Sequence, residues 1–423
     1  MEKIERFKGR KVTVVGLARS GLACARLLLS LGAKVKLTEN ADSRALADLA
    51  RRLISEGAQV ELGRHSEDFI KGADLVVVSP GVTDKALPLV WARAAGIPVI
   101  GEVELAWQVC PASVIAITGT NGKTTVTELI GRVINASGKK AHICGNIGNP
   151  FSGEIEKMRE GDLVSLEISS FQLETIKTFK PHIALILNFT SDHLNRYRDM
   201  QEYLQAKKRV FMNQDENDYL LLSSFDPALK KAGAGACSRV AYFDDKKTGD
   251  FNANQLAVMA VADILGISRD ITLQVLREFK GLEHRLEYVT RIKGIDFIND
   301  SKSTNVEATA WALNNLKQPL ILIAGGSDKG LDYGAMKDIL RGRVKNLILI
   351  GQTRQKIASD IKGAVPVEEA ATLSDAVRRA YGCASSGDCV ILSPMCASFD
   401  MFKDYEHRGR IFKEEVEKLK NAA

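Results

Sequence analysis

Short β-branched apolar runs alternate along this chain with longer amphipathic stretches, and that alternation limits the fold more than any single residue does. Lys11–Val15, Val35–Thr38, Leu75–Ser79 and Val99–Ile100 read as strands, with helical periodicity between them over Leu22–Leu31, Ser43–Glu56 and Leu87–Ala95. A second series opens with Val114–Thr118 and continues through Leu163–Ile168, Ile183–Asn188, Tyr219–Leu222 and Val240–Phe243. A third begins near Phe297 and contains Leu320–Ala324, Leu347–Ile350 and Cys389–Leu392. Parallel strands need long crossovers, usually helical, so repeated β-α units predict mostly parallel sheets with flanking helices. The expected class is α/β. At about 150 residues per domain, 423 residues predict roughly three domains. The expected divisions are 1–107, 108–287 and 288–423.

Composition excludes several classes. Hydrophobic residues make up 45% and charged residues 26%, so neither disorder nor a fibrous repeat is expected. Apolar stretches such as Ile183–Leu187 fall far short of the roughly 20 residues of a membrane span. The first eleven residues, MEKIERFKGRK, are charged throughout and lack the apolar core of a signal peptide. The 7 cysteines include no C-x-x-C pair, so neither a zinc ribbon nor a disulfide framework is expected. A cytoplasmic protein with reduced thiols fits. The net charge of +6 comes with no basic run or aromatic-interleaved patch, so no nucleic-acid role is expected.

Two strand-to-helix turns carry glycines. The first is Gly16-Leu17-Ala18-Arg19-Ser20-Gly21, after the strand ending at Val15. Ala18 replaces the middle glycine that lets a backbone approach a dinucleotide pyrophosphate, which argues against an NAD-dependent oxidoreductase. Amides at the helix start still favour a phosphate. The ordinary alternative is a tight βα turn. Ser79-Pro80-Gly81 follows another strand of this region, and ligands dock at strand ends in such sheets.

The second turn is sharper. Ile115–Thr118 is a strand, followed by Gly119-Thr120-Asn121-Gly122-Lys123-Thr124-Thr125 and a helix over Val126–Ala136. Strand, glycine loop and helix start are what a phosphate cradle needs. Lys123 would lie against the β- and γ-phosphates and the Thr124 hydroxyl would reach Mg²⁺. The usual first glycine of the P-loop pattern is Ile117 here, and a helix-capping turn is the bland alternative. A P-loop switch for partner binding is disfavoured, because no N-K-x-D guanine motif occurs. Glu167 ends the next apolar strand, where a carboxylate is costly to bury unless paired or metal-bound. His193 follows Asn188-Phe189-Thr190-Ser191-Asp192; a lone histidine is usually structural, and Mg²⁺ prefers oxygen.

Thr118–Thr125, Glu167-Ile168-Ser169-Ser170-Phe171-Gln172-Leu173 and Asp192-His193 together resemble the Mur ligases, cytoplasmic ATP-dependent enzymes that add amino acids in peptidoglycan synthesis. Folylpolyglutamate synthases share the loop but carry it near their start. Asn299-Asp300-Ser301-Lys302-Ser303-Thr304-Asn305 and Ser393-Pro394-Met395-Cys396-Ala397-Ser398-Phe399-Asp400 resemble the members that add D-glutamate. Matching motifs run in order from Gly16 to Asp400, nearly the whole chain. The resemblance implies a Rossmann-like N-terminal domain, a P-loop ATPase-like centre and a Rossmann-like C-terminal domain. It implies three small-molecule substrates: ATP, D-glutamate and UDP-N-acetylmuramoyl-L-alanine, joined through an acyl phosphate. It also implies a monomer away from membranes, with closure of the third domain during turnover.

The resemblance further implies roles for individual residues. Gly119–Thr125 (Gly119, Thr120, Asn121, Gly122, Lys123, Thr124, Thr125) would bind the triphosphate. Thr124 and Glu167 would hold one Mg²⁺, and His193 would help hold a second. Lys207 matches the family's carbamylated lysine, a modification that turns a cation into an oxygen ligand; the bland alternative is a solvated Lys207-Lys208-Arg209 face. Asn252 and Gln255 fall at the adenine side, Arg285 at the phosphates and Asp300 at the ribose, although Asp300 with Lys302 also reads as an exposed ion pair. D-glutamate would be held by Thr304, Lys329 and Ser398, with Lys302 and Tyr405 nearby, cations and hydroxyls matching its second carboxylate. Arg19, Ser20, Glu39, Ser79, Gly81 and Asn146 would take the UDP-sugar substrate. No Ser-His-Asp nucleophile is needed or found.

Overall fold

The computed structural model describes residues 5–146, 148–192, 196–244 and 251–422. Their strands form three sheets. The first has the order β3-β2-β1-β4-β5, from β1 (Lys11–Val15), β2 (Lys34–Glu39), β3 (Gln59–Leu62), β4 (Leu75–Val78) and β5 (Val99–Gly101). All its pairings are parallel. The second, also parallel, has the order β11-β10-β9-β6-β8-β7. Its strands are β6 (Ser113–Thr118), β7 (Ala141–Gly145), β8 (Leu163–Glu167), β9 (Ile183–Ile186), β10 (Tyr219–Leu222) and β11 (Arg239–Tyr242).

The third sheet, β12-β13-β17-β14-β15-β16, comprises β12 (Glu287–Ile292), β13 (Ile295–Asn299), β14 (Leu320–Gly325), β15 (Val344–Ile350), β16 (Val367–Glu369) and β17 (Cys389–Leu392). Only β12 runs antiparallel, against β13. Central strands such as β4, β9, β14 and β17 are wholly buried, as expected where helices cover both faces.

Cα packing divides the chain into two compact units. The first runs up to Phe189 and resumes over Gln201–Phe279; the second comprises Thr190–Met200 and the chain from Lys280. The first two sheets share one apolar core, in which Val12, Val14 and Leu37 join a cluster with Val114, Ala116, Val164 and Ile186. Residues 190–192 and 196–199, between β9 and the helix Met200–Lys208, group with the C-terminal residues rather than with their sequence neighbours. No helix among the described residues is long and apolar enough to cross a membrane.

Candidate active site

The loop after β6 is shaped by two glycines at positive φ, Gly119 at 148° and Gly122 at 83°. Gly122 is the N-cap of the helix Lys123–Ala136 and brings no side chain to the first-turn amides, which suits an anion. Helix geometry begins at Lys123 rather than at the expected Val126, so Lys123 and Thr124 sit on the first turn. Asn188, just past β9, braces the loop: its Oδ1 accepts from Thr120 N at 3.1 Å and Asn121 N at 2.8 Å. Two cations meet on one loop carbonyl. Lys123 Nζ donates to Gly119 O at 3.0 Å, and Lys207 Nζ donates to the same oxygen at 2.9 Å. Lys207 is 1% exposed and lies 4.5 Å from the Tyr203 ring centroid. Arg209 is anchored on Leu173 O and Ile176 O, so Lys207-Lys208-Arg209 is not a solvated face.

Glu167 is a buried carboxylate at the end of a neighbouring strand. As the last residue of β8 it is the register partner of Ile117 in β6 and Gly145 in β7. It is 2% exposed; Oε1 accepts from Asn146 Nδ2 at 2.9 Å, while Oε2 is buried without a hydrogen bond. Thr125 Oγ1 is likewise buried and without one. A buried carboxylate oxygen with no donor is costly, and a cation completes it. Oxygen donors of this kind fit Mg²⁺. His193 lies outside the described residues.

The expected adenine-side amides lie at a helix start. Asn252 and Gln255 form a reciprocal capping box at the start of the helix Ala253–Ile264, each side chain bonded to the other's backbone N–H. The intervening Asn254 is the amide at the cradle: a Cβ on Gly122 would meet its Oδ1 at 2.4 Å.

The turn at Gly16 is tight. A Cβ on Gly21 would lie 1.8 Å from Gly16 O, and Ser79, 6% exposed, packs beside both glycines. Glu39 is tied to this turn, its Oε2 accepting from Leu17 N at 2.7 Å and its Oε1 from Ala41 N at 2.9 Å. Arg19 and Gly81 are exposed, and Ser20 is half-buried in the first helical turn after the uncapped Ala18. Asn146 Nδ2 donates to Glu167 Oε1 at 2.9 Å.

In the second unit, Asp300 is 1% exposed. Its oxygens accept from Leu286 N at 3.1 Å and Ser393 Oγ at 2.7 Å, and burial pushes its carboxyl up from the usual range. It is therefore no exposed ion pair. Arg285 stands in electrostatic range of Asp300, with a buried Nε that takes no hydrogen bond. Lys302 Nζ donates to Tyr405 Oη at 3.0 Å and lies 4.6 Å from that ring's centroid. Thr304 is half-buried and Ser398 is 2% exposed. Lys329 Nζ is 3.5 Å from Asp192 Oδ1.

Sequence reading missed Arg408, which is fully buried. It donates to Ser301 O at 2.8 Å, Cys396 O at 3.2 Å and Ala397 O at 3.3 Å, tying the loop that bears Lys302 to the loop that bears Ser398. Burial brings its guanidinium down to about 10, so it stays charged at neutral pH. An arginine on an otherwise amphipathic helix gives no local sign of this. Among the described residues, Glu283, His284 and Glu287 also gather ligand atoms, but Lys413 already donates to both glutamates, at 2.5 and 2.9 Å.

Three family profiles cover the chain in order: the Mur ligase MurD-like N-terminal domain over residues 10–101, the Mur ligase middle domain over 117–275, and the Mur ligase glutamate ligase domain over 284–396. A UDP-N-acetylmuramoylalanine–D-glutamate ligase of Caldicellulosiruptor bescii is 43% identical over 98% of this chain and 98% of its own. The chain belongs to the Mur ligase family. A relative of the same name from Koribacter versatilis is 42% identical over 97% of this chain and 98% of its own. Among solved Mur ligases, the UDP-N-acetylmuramate-alanine ligase MurC of Thermotoga maritima superposes with a TM-score of 0.63 at 19% identity, covering 97% of this chain and 100% of that one. MurF of Thermotoga maritima, solved with ADP, gives 0.63 at 15% identity, over 91% and 96%. At such identities these two speak for the three-sheet Mur ligase fold, in agreement with the α/β class read from the sequence.

Proposed function

We propose that this chain joins D-glutamate to UDP-N-acetylmuramoyl-L-alanine at the expense of ATP, releasing ADP and phosphate, in cytoplasmic peptidoglycan precursor synthesis. The observation that carries the reading is the match along nearly the whole chain to relatives named for that ligation. The substrate's alanine carboxylate attacks the γ-phosphorus, forming an acyl phosphate as the bond to ADP breaks. The D-glutamate amine then attacks the acyl carbon, loses a proton, and phosphate departs. Catalysis of this kind is mostly positioning and charge neutralisation.

The roles follow the residues. Gly119–Thr125 hold the triphosphate, with Lys123 on the transferred group; Asn252, Gln255, Arg285 and Asp300 serve the rest of the nucleotide. Mg²⁺ supplies charge neutralisation at the phosphates, one ion on Thr124 and Glu167 and a second on His193 and a carbamylated Lys207. The N–H that carbamylation leaves on Lys207 can still donate to Gly119 O, so the observed bond is compatible with the modification. Arg19, Ser20, Glu39, Ser79, Gly81 and Asn146 take the UDP-sugar. Lys302, Thr304, Lys329, Ser398 and Tyr405 select D-glutamate. The working unit is a monomer of three functional modules, 1–107, 108–287 and 288–423. The test is phosphate release from ATP with UDP-N-acetylmuramoyl-L-alanine and, separately, D-glutamate, L-glutamate, D-aspartate or L-lysine. Release with D-glutamate alone is expected. Release with another amino acid overturns the assignment of the C-terminal pocket, and silence with all four overturns the ligase reading.

A further inference from the structure

A cavity of about 420 Å³ opens in the first unit where β1 and β2 begin, at the end of the sheet opposite the Gly16 turn. Its volume is in the range of small-molecule sites, about 300–1,000 Å³. Four lysines line it, Lys11, Lys34, Lys36 and Lys71, and no carboxylate does. In register, Lys11 lies opposite Lys34, and Thr13 opposite Lys36. Register partners in a sheet share a face, so one face of two interior strands carries three ammonium groups side by side. Like charges directly opposite each other across a ladder are destabilising.

The fold explains why this face is open. The crossover from β3 to β4 holds only the four-residue helix Glu67–Ile70, where the other face is packed by the helices Arg19–Ser30 and Arg44–Ser55. Phe69 from that short helix forms one wall. Thr13, 1% exposed, fixes it by donating to Phe69 O at 2.6 Å. Lys36 is held over the Phe69 ring, 5.4 Å from the centroid, and donates to Asp68 O at 2.8 Å. The nearby Asp74 carboxylate accepts from the backbone N–H of Lys11 at 2.8 Å and does not line the cavity.

We propose that this cavity binds a small phosphorylated anion, distinct from the ATP and UDP-sugar substrates, with its phosphate among Lys11, Lys34 and Lys71 and any ring or apolar portion on Phe69. The site does not depend on the proposed ligase activity. The test uses the full chain with the substrate sites saturated by a non-hydrolysable ATP analogue, Mg²⁺ and the UDP-sugar substrate. Inorganic pyrophosphate is then titrated by calorimetry, with ADP as a second arm to distinguish a nucleotide from a bare anion. Saturable, salt-sensitive binding of at least one probe is expected, weakened by about tenfold or more in the K34E/K71E double variant. Phosphate release by that variant should equal the parent's, showing that the fold and the substrate sites are intact. Unchanged binding in K34E/K71E overturns the proposal, as does no saturable binding at millimolar probe. Binding lost only in Lys123→Ala also overturns it, because that assigns the anion to the Gly119 loop.

Discussion

The first two sheets each place a glycine turn before a helix and a glutamate at the end of a neighbouring strand, yet the two ends are finished in opposite ways. At the Gly16 turn, Glu39 is satisfied internally, with both oxygens on backbone amides. At the Gly119 loop, Glu167 keeps one buried oxygen bare while Lys123 and Lys207 converge on Gly119 O. The first arrangement is complete as it stands and suits a ligand held by shape and helix-start amides. The second is electrostatically incomplete and suits a ligand that brings both a metal ion and phosphates.

A third carboxylate shows what a half-bonded glutamate does without a cation. Glu102 and Glu104 are both buried on the helix Glu102–Val109. Glu104 accepts from Lys177, Thr178 and Phe179 N–H and from Thr178 Oγ1, and these bonds overcome burial to hold its carboxyl below the usual range. Glu102 is raised by burial, which outweighs its bonding to Ser152, and leaves Oε2 bare. Glu167 is equally half-bonded, with Oε1 on Asn146 Nδ2 and Oε2 bare.

These contrasts can be broken by substitution. The largest effect expected is in Glu167→Gln, which should lower the rate of phosphate release about 10²–10³-fold with little change in stability. A loss of stability matching the loss of rate would reduce Glu167 to a structural role. Next is Gly21→Ala, whose Cβ would overlap Gly16 O; about 3 kcal/mol of destabilisation in urea unfolding is expected. Gly81→Ala, with nothing within 4 Å and an ordinary φ, should stay within about 0.5 kcal/mol. Equal costs at the two positions would mean the first turn is not tight.

The carboxylate pair gives a smaller and pH-dependent effect. Glu104 is lowered, so its stabilisation is present above the unfolded carboxyl range and lost as pH falls through its folded value. Glu102 is raised, so its contribution is present at low pH and lost as pH rises through its folded value. At neutral pH, Glu104→Gln should cost about 2 kcal/mol while Glu102→Gln is neutral or stabilising. Urea midpoints measured against pH check both signs, and parallel pH profiles for the two variants would refute the distinction. The smallest effect belongs to Glu39→Gln, which keeps an acceptor at Leu17 N and should change KM for the UDP-sugar only a few-fold, about 1 kcal/mol.

Every interior strand was legible in the sequence, because burial on both faces demands continuous apolar runs, and so were the edge strands Val99–Gly101 and Arg239–Tyr242. Gln59–Leu62, Ala141–Gly145, Glu287–Ile292 and Val367–Glu369 were not legible, and all four are sheet edges. With one side of the ladder open, residues such as Gln59, Glu61 and Thr290 are admitted and the period is blurred. In the site, Gly119–Thr125 was legible because its conformation is local, whereas the place of Asn254 beside Gly122 was not, because it joins two segments far apart in the chain.

Local order was thus written in the sequence by itself: the β-α alternation, the glycines at 119 and 122 whose φ only glycine adopts freely, and the helix start after them. Tertiary structure alone decided what joins residues far apart in the chain. It brought Lys207 to Gly119 across 88 positions, buried Asp300 against Ser393 across 93, and drew Arg408 into the loop of Ser301 across 107. Each of these is a polar group taken out of water, stable only because packing of the whole unit supplies its partner. No window of sequence contains both halves of such a bond, and a lysine, an aspartate or an arginine reads there as a surface residue until the fold closes over it.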